Sequence, residues 1–304
     1  MMSKTYPIER SKLYRLRNRR KLAEMLGLSH NFFKNENKFK YNEFPILKAN
    51  GRDYRLIQNP EPELKVIHSR LRNLLSRIET PEWVYSKKKK SYIDNAGFHQ
   101  GNRYVKTMDI TRFYESIKSN YIYKMFIDEF QMEPDIARLL TNLVSYNGKL
   151  PTGSPSSPII AFWANKKMFE EIKEISDKYG CLFSLYVDDM VFSSNNPIPG
   201  KMREEIEEVL EKNQLKSKKE KDHYYQNKKF RKITGVGIKN GKMVVLNKHR
   251  KKIIDLYQKC RNENGEQLAK DIRKLKGCLY TARLIQPRIF PQIVSYVNNY
   301  EKGC

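Results

Sequence analysis

Three aspartates carry the chemistry that this sequence could perform. Asp109 stands at the end of a strand-like run over 104–110, and Asp188 and Asp189 follow Tyr186 and Val187 at a tight turn inside CLFSLYVDDMVFSS (181–194), between two apolar, β-rich runs. Carboxylates are the hard oxygen ligands that magnesium prefers, and two of them can bridge a pair of ions about 3.5–4 Å apart. Such a pair activates an attacking 3′-hydroxyl and neutralises a pyrophosphate leaving group, a chemistry in which catalysis is mostly positioning and charge stabilisation. Asp109 and Asp188 are 79 residues apart, which is no obstacle if strand-helix and strand-turn-strand units lie on neighbouring strands of one antiparallel sheet. Taken singly, the same residues suit a helix cap and an ordinary acidic turn, because acids favour both places.

The elements that must position these acids are legible as patterns. YNEFPILK and RDYRLIQ flank Ala49, Asn50 and Gly51, and Asn-Gly between strand-like runs predicts a β-hairpin because both positions tolerate positive φ. A helix is predicted over 64–78, with Leu64, Ile67, Leu71, Leu74, Leu75 and Ile78 at helical spacing. LPTGSPSSP (150–158) is a loop that turns into an apolar helix, with Pro158 in the first turn and small residues suited to a close approach. Residues 201–213 predict an amphipathic helix covering a sheet. A second hairpin is expected at Asn240 and Gly241, followed by two helices, one with Leu268, Ile272, Leu275 and Leu279 in register. The run SKKKKS (86–91) is a solvated loop or a phosphate contact. Residues 10–34 pattern as a helix, a Gly turn and a Ser-capped second helix, which suits either a helix-turn-helix or an ordinary N-terminal helical lobe.

Composition bounds the partner. With 304 residues, 39% hydrophobic and 12% aromatic, the chain can bury a substantial core. Its 59 Lys plus Arg against 34 Asp plus Glu leave a charge of +25 and a pI of about 9.7, the footprint of a protein that binds a polyanion, with nucleic acid the first candidate. No apolar run approaches the ~20 residues of a spanning helix, and MMSKTYPIERSK lacks a secretory apolar core, so no membrane partner and a cytoplasmic location are expected. Cys181, Cys260, Cys278 and Cys304 show no metal-ligand or disulfide spacing and predict reduced thiols.

With these residues in place the sequence resembles the reverse transcriptases. YVDD (186–189) between hydrophobic strands resembles the family's active-site turn, MDITRFYESI its first catalytic motif and LPTGSPSSP its nucleotide-pocket loop; the resemblance covers roughly 40–300 in the family's order. It implies an α+β right-hand polymerase with fingers, a palm of antiparallel sheet backed by helices, and a helical thumb. The implied divisions are an N-terminal helical extension over 1–40, fingers over 41–103, the first palm strand over 104–120, fingers and palm helices over 121–149, palm over 150–243 and thumb over 244–304. It implies two Mg2+ ions on Asp109, Asp188 and Asp189, with Asp189 more a supporting acid than a ligand. It also implies deoxynucleoside triphosphates held by Arg55 with help from Arg52, and Tyr114 as the aromatic that excludes a ribose 2′-hydroxyl. Gly153 and Ser154 are the small residues of the pocket loop, and Lys219, or its neighbour Lys218, is the later lysine near the triphosphate. Thr152 departs from the pattern, since many relatives have Gln there.

NAGFH (95–99) resembles the NAxxH element of bacterial retron reverse transcriptases, through Asn95, Ala96 and His99, and Ile233, Thr234 and Gly235 resemble their VTG element. That resemblance implies a structured noncoding RNA as template and primer, a branched RNA-linked single-stranded DNA product, a separate effector protein and a role in antiphage defence. Recognition of such an RNA would be mainly of shape and backbone. The alternatives are another bacterial reverse transcriptase, of group II intron, diversity-generating or abortive-infection type, and a noncatalytic RNA-binding scaffold.

Overall fold

The structure is a computed structural model that describes residues 5–29, 32–34, 39–47 and 51–303. Ala49 and Asn50 of the first expected hairpin tip, part of the segment over 10–34, and Cys304 lie outside the described residues.

Local sequence accounts for where the elements start and stop. Helix α1 (Arg19–Leu26) opens where the Asn18 side chain accepts hydrogen bonds from the Arg20 and Lys21 amides at 2.8 and 3.2 Å, and it closes at Gly27 with φ 64°. Beyond it, the described part of the second expected helix is a 3-10 turn at Phe32–Lys34. Strands β1 (Tyr41–Leu47) and β2 (Tyr54–Pro60) pair antiparallel, with Ile46 opposite Arg55. Helix α2 (Pro62–Leu75) begins on its proline and buries Leu64, Ile67, His68, Leu71 and Leu75 along one face. Helix α3 (Tyr92–Phe98) starts at a capping box between Ser91 and Asp94. Strand β3 (Tyr104–Asp109) runs into the single turn of α4 (Phe113–Ser116), then α5 (Ser119–Asp128), α6 (Pro134–Val144), α7 (Ser157–Ala164) and α8 (Lys166–Lys178). Strands β4 (Leu182–Tyr186) and β5 (Asp189–Ser194) enclose the turn at Val187 and Asp188. Helix α9 (Gly200–Lys212) precedes β6 (His223–Gln226), the meander β7 (Phe230–Ile233), β8 (Val236–Lys239) and β9 (Lys242–Val244), and helices α10 (Asn247–Arg261), α11 (Gly265–Ile285) and α12 (Pro291–Gly303).

Antiparallel pairing dominates. β4, β5, β3 and β6 form a four-stranded sheet in that order, β7, β8 and β9 a three-stranded one, and β1 with β2 a ribbon. The β8 to β9 turn falls on Asn240 and Gly241, at φ 50° and 74°, as expected of Asn-Gly. A further hairpin was not foreseen: Ile233 pairs with Val236, so Thr234 and Gly235 at φ 42° and 85° are themselves a two-residue turn.

Two compact units result, one from residues 1–89, 108–190 and 199–222, the other from 90–107, 191–198 and 223–304. The core of the first is built on Phe126, Phe130, Phe169 and Phe183, all fully buried. That of the second gathers Val105, Val191, Ile233, Val236, Ile238, Ile272 and Leu275. There the buried Asp271 of α11 ties to α10 through Lys259, with Nζ to Oδ2 at 2.6 Å. Cys181 and Cys260 are buried free thiols, and Cys278 is a half-buried one. Among the described residues no helix is long and apolar enough to cross a membrane.

Candidate active site

Backbone pairing assembles the acids within the first unit. β3 ends on Asp109, buried at 7% exposure, and the next amide, Ile110 N–H, donates to Asp188 O at 3.4 Å, which sets the β4 to β5 turn beside the strand end. Val187 holds φ 62°, where a β-branched residue is disfavoured. A third segment joins from beyond α9. Thr111 N–H donates to Lys216 O at 2.9 Å and Lys218 N–H to Asp109 O at 2.7 Å, with Ile110 opposite Ser217. This short ladder carries Lys221 to the site, where its Nζ lies 2.7 Å from Asp109 Oδ2.

Crowding sets the electrostatics. Burial, then the charge of Asp109, pushes Asp188 up to about 6, against the pull of Lys221 and Arg55. Burial, then the charges of Asp188 and Asp109, pushes Asp189 up to about 7. The donor set is therefore a knot of hard oxygens with excess negative charge, and the structure already sets one cation, the Lys221 ammonium, against it. In kind and charge it fits a divalent cation. It is not closed into a cage, since among the described residues no group of three or more His, Cys, Asp or Glu side chains is arranged to hold a metal ion.

The acids open into a cavity of about 1400 Å³ that Arg55, Tyr114, Thr152, Lys218, Lys219 and Lys221 also line. Arg55 arrives on β2 and Tyr114 on α4. Burial and then the charge of Asp188 raise the Tyr114 hydroxyl above its ordinary range, so it stays protonated. Arg52, Gly153 and Ser154 do not line the cavity. Gly153 instead lies against β2. Its N–H donates to Gln58 O at 3.1 Å, and a Cβ on it would sit 2.6 Å from that same oxygen. Ser154 is buried and hydrogen-bonded to His68 Nδ1. Sequence reasoning missed Lys221, Gln58 and His68. The lysine run 216–221 was the only signal for the first, and nothing in the local sequence marked the other two.

The family model described as "Reverse transcriptase (RNA-dependent DNA polymerase)" matches residues 46–238, which include Arg55, Tyr114, Thr152, all three acids and Lys221. The chain belongs to the reverse transcriptase family. It is an RNA-directed DNA polymerase, and its fold combines helices with antiparallel sheets. Within the family it is similar to bacterial retron enzymes. Retron Se72 reverse transcriptase of Salmonella heidelberg (strain 579083-10) is 24% identical over 80% of this chain and 68% of its own length. Retron Ec86 reverse transcriptase of Escherichia coli is 24% identical over 87% of this chain and 82% of its own. Among solved structures, a foamy viral protease-reverse transcriptase dRH in complex with ds DNA is similar with a TM-score of 0.46 at 14% identity over 80% of this chain, which spans 36% of that one.

The motifs of retron resemblance lie in the second unit of this reverse transcriptase, and they meet. Asn95 Nδ2 donates to Thr234 Oγ1 at 3.1 Å, and Thr234 Oγ1 donates to Tyr92 O at 3.3 Å. Thr234 is a β-branched residue at φ 42°, and these bonds hold it in a conformation it would otherwise avoid. Ala96 and Ile233 are fully buried. His99 is equally buried, its Nδ1 2.6 Å from Ser193 Oγ, and burial lowers it to about 3, so it is neutral. Ser193 also accepts from Asn102 Nδ2 at 2.6 Å. NAxxH and the Thr-Gly turn therefore form a brace between α3, β5 and the β7 to β8 turn, buried at Asn95, His99 and Ser193.

Proposed function

We propose that this reverse transcriptase copies part of a structured noncoding RNA into single-stranded DNA, with Asp109, Asp188 and Asp189 as its catalytic acids. The observation that carries the reading is the convergence of these acids, Arg55, Tyr114 and Lys221 on one cavity. Magnesium held by Asp109 and Asp188, with Asp189 supporting, would supply activation of the attacking hydroxyl and neutralisation of the departing charge. The chain's own groups do the rest. The forked donors of Arg55 hold the triphosphate, with Lys219 on the same wall. Tyr114, protonated and half-buried, packs where the sugar of the nucleotide lies and leaves no room for a 2′-hydroxyl. Lys221 fixes the Asp109 carboxylate before the nucleotide arrives.

Similarity to the retron enzymes supports a finer reading: priming from an internal RNA 2′-hydroxyl, a branched RNA-linked DNA product and work beside an effector protein in antiphage defence. Thumb residues within 244–304, rich in Lys and Arg, hold the RNA by its backbone and shape. Primer extension on an RNA template with magnesium and deoxynucleotides tests the activity, and equal product from wild type and Asp188→Asn overturns it. Sequencing of copurified nucleic acid tests the finer reading. A branched RNA-DNA species is expected, and an unbranched product of random sequence overturns it.

A further inference from the structure

The ribbon that carries Arg55 is poorly supported by its own packing. Along β1 and the first half of β2 nearly every residue is exposed, Tyr54 at 64% and Leu56 at 45%, and a lone two-stranded ribbon is marginal in water. At its Tyr41 end the ribbon rests on Tyr146 and His68, and the stretch beside Arg55 is tied to the loop 151–156. Thr152 Oγ1 lies 3.0 Å from both Leu56 O and Gln58 Oε1 and shares its single proton between them. It accepts in turn from Gln58 N–H at 3.3 Å. Thr152 N–H donates to Gln58 Oε1 at 3.2 Å, and Gly153 N–H to Gln58 O. The anchored stretch thus begins at Leu56, the residue next to Arg55.

The loop is itself held from behind. His68 Nε2 lies 3.0 Å from Leu143 O, a pure acceptor, so Nε2 carries the proton and Nδ1 is the acceptor that faces the Ser154 and Ser156 hydroxyls, the latter at 3.0 Å, which lie 3.1 Å from each other. Ser157 Oγ donates to Pro151 O at 2.6 Å. The loop, backed by His68 on α2, therefore grips β2 through Thr152 and the Gly153 amide, with Gln58 as their main partner.

We propose that Thr152 and Gln58 form a latch that sets Arg55 over the catalytic acids, making both positioning residues for the incoming deoxynucleoside triphosphate. The inference rests on the reading of Arg55 as the triphosphate ligand. It also accounts for the departure at position 152, because the amide expected there stands on the facing strand, at Gln58. Ionic partners play no part in the latch, which consists of neutral hydrogen bonds.

Single-nucleotide extension on an RNA template, with saturating magnesium, tests it. Thr152→Val and Gln58→Met should each raise the KM for deoxynucleotide about tenfold, equivalent to about 1.4 kcal/mol, with kcat within about twofold of wild type. Thr152→Ser should restore wild-type KM. In an Arg55→Ala background neither substitution should change KM further, since the latch acts through that side chain. Unchanged KM in the folded variants, a loss confined to kcat, or full additivity with Arg55→Ala overturns the latch. Hydrogen exchange reads it without activity: protection of the Gln58 amide should drop in Thr152→Val, and unaltered protection also overturns it. Failure of the polymerase reading has a different signature, an inactive wild type indistinguishable from Asp188→Asn.

Discussion

Lys221 Nζ lies 2.7 Å from Asp109 Oδ2, so the structure sets its own cation against the most buried of the three acids. The lysine that pairs with Asp109 is two positions beyond Lys219, because the ladder of Lys216 and Lys218 on Asp109 and Thr111 sets the register of the segment that follows. Where magnesium binds Asp109, this ammonium must yield. Lys221→Met should therefore lower the magnesium concentration for half-maximal extension. The change should be about twofold to fivefold, since the lysine is half exposed and such pairs contribute less than ~1 kcal/mol. A magnesium titration of initial rate checks it.

Asp188→Asn should abolish extension, by a factor on the order of a thousand, the scale on which lost charge stabilisation acts. The same change should leave the metal-free protein at least as stable as wild type, because it removes one of three crowded, mutually repelling carboxylates. Thermal unfolding in EDTA beside an extension assay reads both effects. A melting temperature several degrees lower would show that the acids are not crowded as described.

Tyr114 lies beside Asp188 in the cavity. Tyr114→Val should open space for a 2′-hydroxyl and reduce discrimination against ribonucleotides on the order of tenfold to a hundredfold. The ratio of kcat/KM for paired deoxy- and ribonucleotides measures it.

The two buried histidines should weaken the fold in acid. His68 is lowered to about 4 and His99 to about 3, both chiefly by burial. Both lie below the ordinary 6.5, so below that pH the unfolded chain takes up protons that the folded chain refuses. Their stabilising contribution is complete above about pH 6.5 and is lost as pH falls toward 4 and then 3. Asp188 and Asp189, raised to about 6 and 7, act with the opposite sign as pH falls through those values. The histidine effect is therefore read as the difference in urea-unfolding stability between wild type and His99→Gln, which should shrink as pH falls over that window.

Asn95 and Thr234 should couple. Asn95→Ala strips the bond that holds Thr234 at φ 42° and should cost about 1–3 kcal/mol. Thr234→Val removes the same bond, so the double variant should lose less than the sum. Denaturant midpoints for the four proteins close the cycle.

Much of this was legible along the chain. The apolar faces of α2, α9 and α11 stand at helical spacing, the Asn240-Gly241 turn declares its own geometry, and an acid at the end of β3 marks itself against apolar neighbours. The Thr234-Gly235 turn was not legible as a turn. A β-branched residue with positive φ contradicts local preference, and only the bonds from Asn95 and to Tyr92 make it tenable. Gly153 was legible as a position of close approach, but its neighbour proved to be the backbone of Gln58.

The sequence by itself determined the reaction class, through the motifs that place the chain in its family, and it marked the three acids and the excess of basic charge, because residue type, charge and periodicity act over a few neighbouring positions. Which lysine meets Asp109, 112 residues away, and which glutamine meets Thr152, 94 residues away, was decided only by the tertiary structure. Such pairs form when strand register and loop path bring distant hydrogen-bonding groups within about 3 Å, and no local preference encodes that distance.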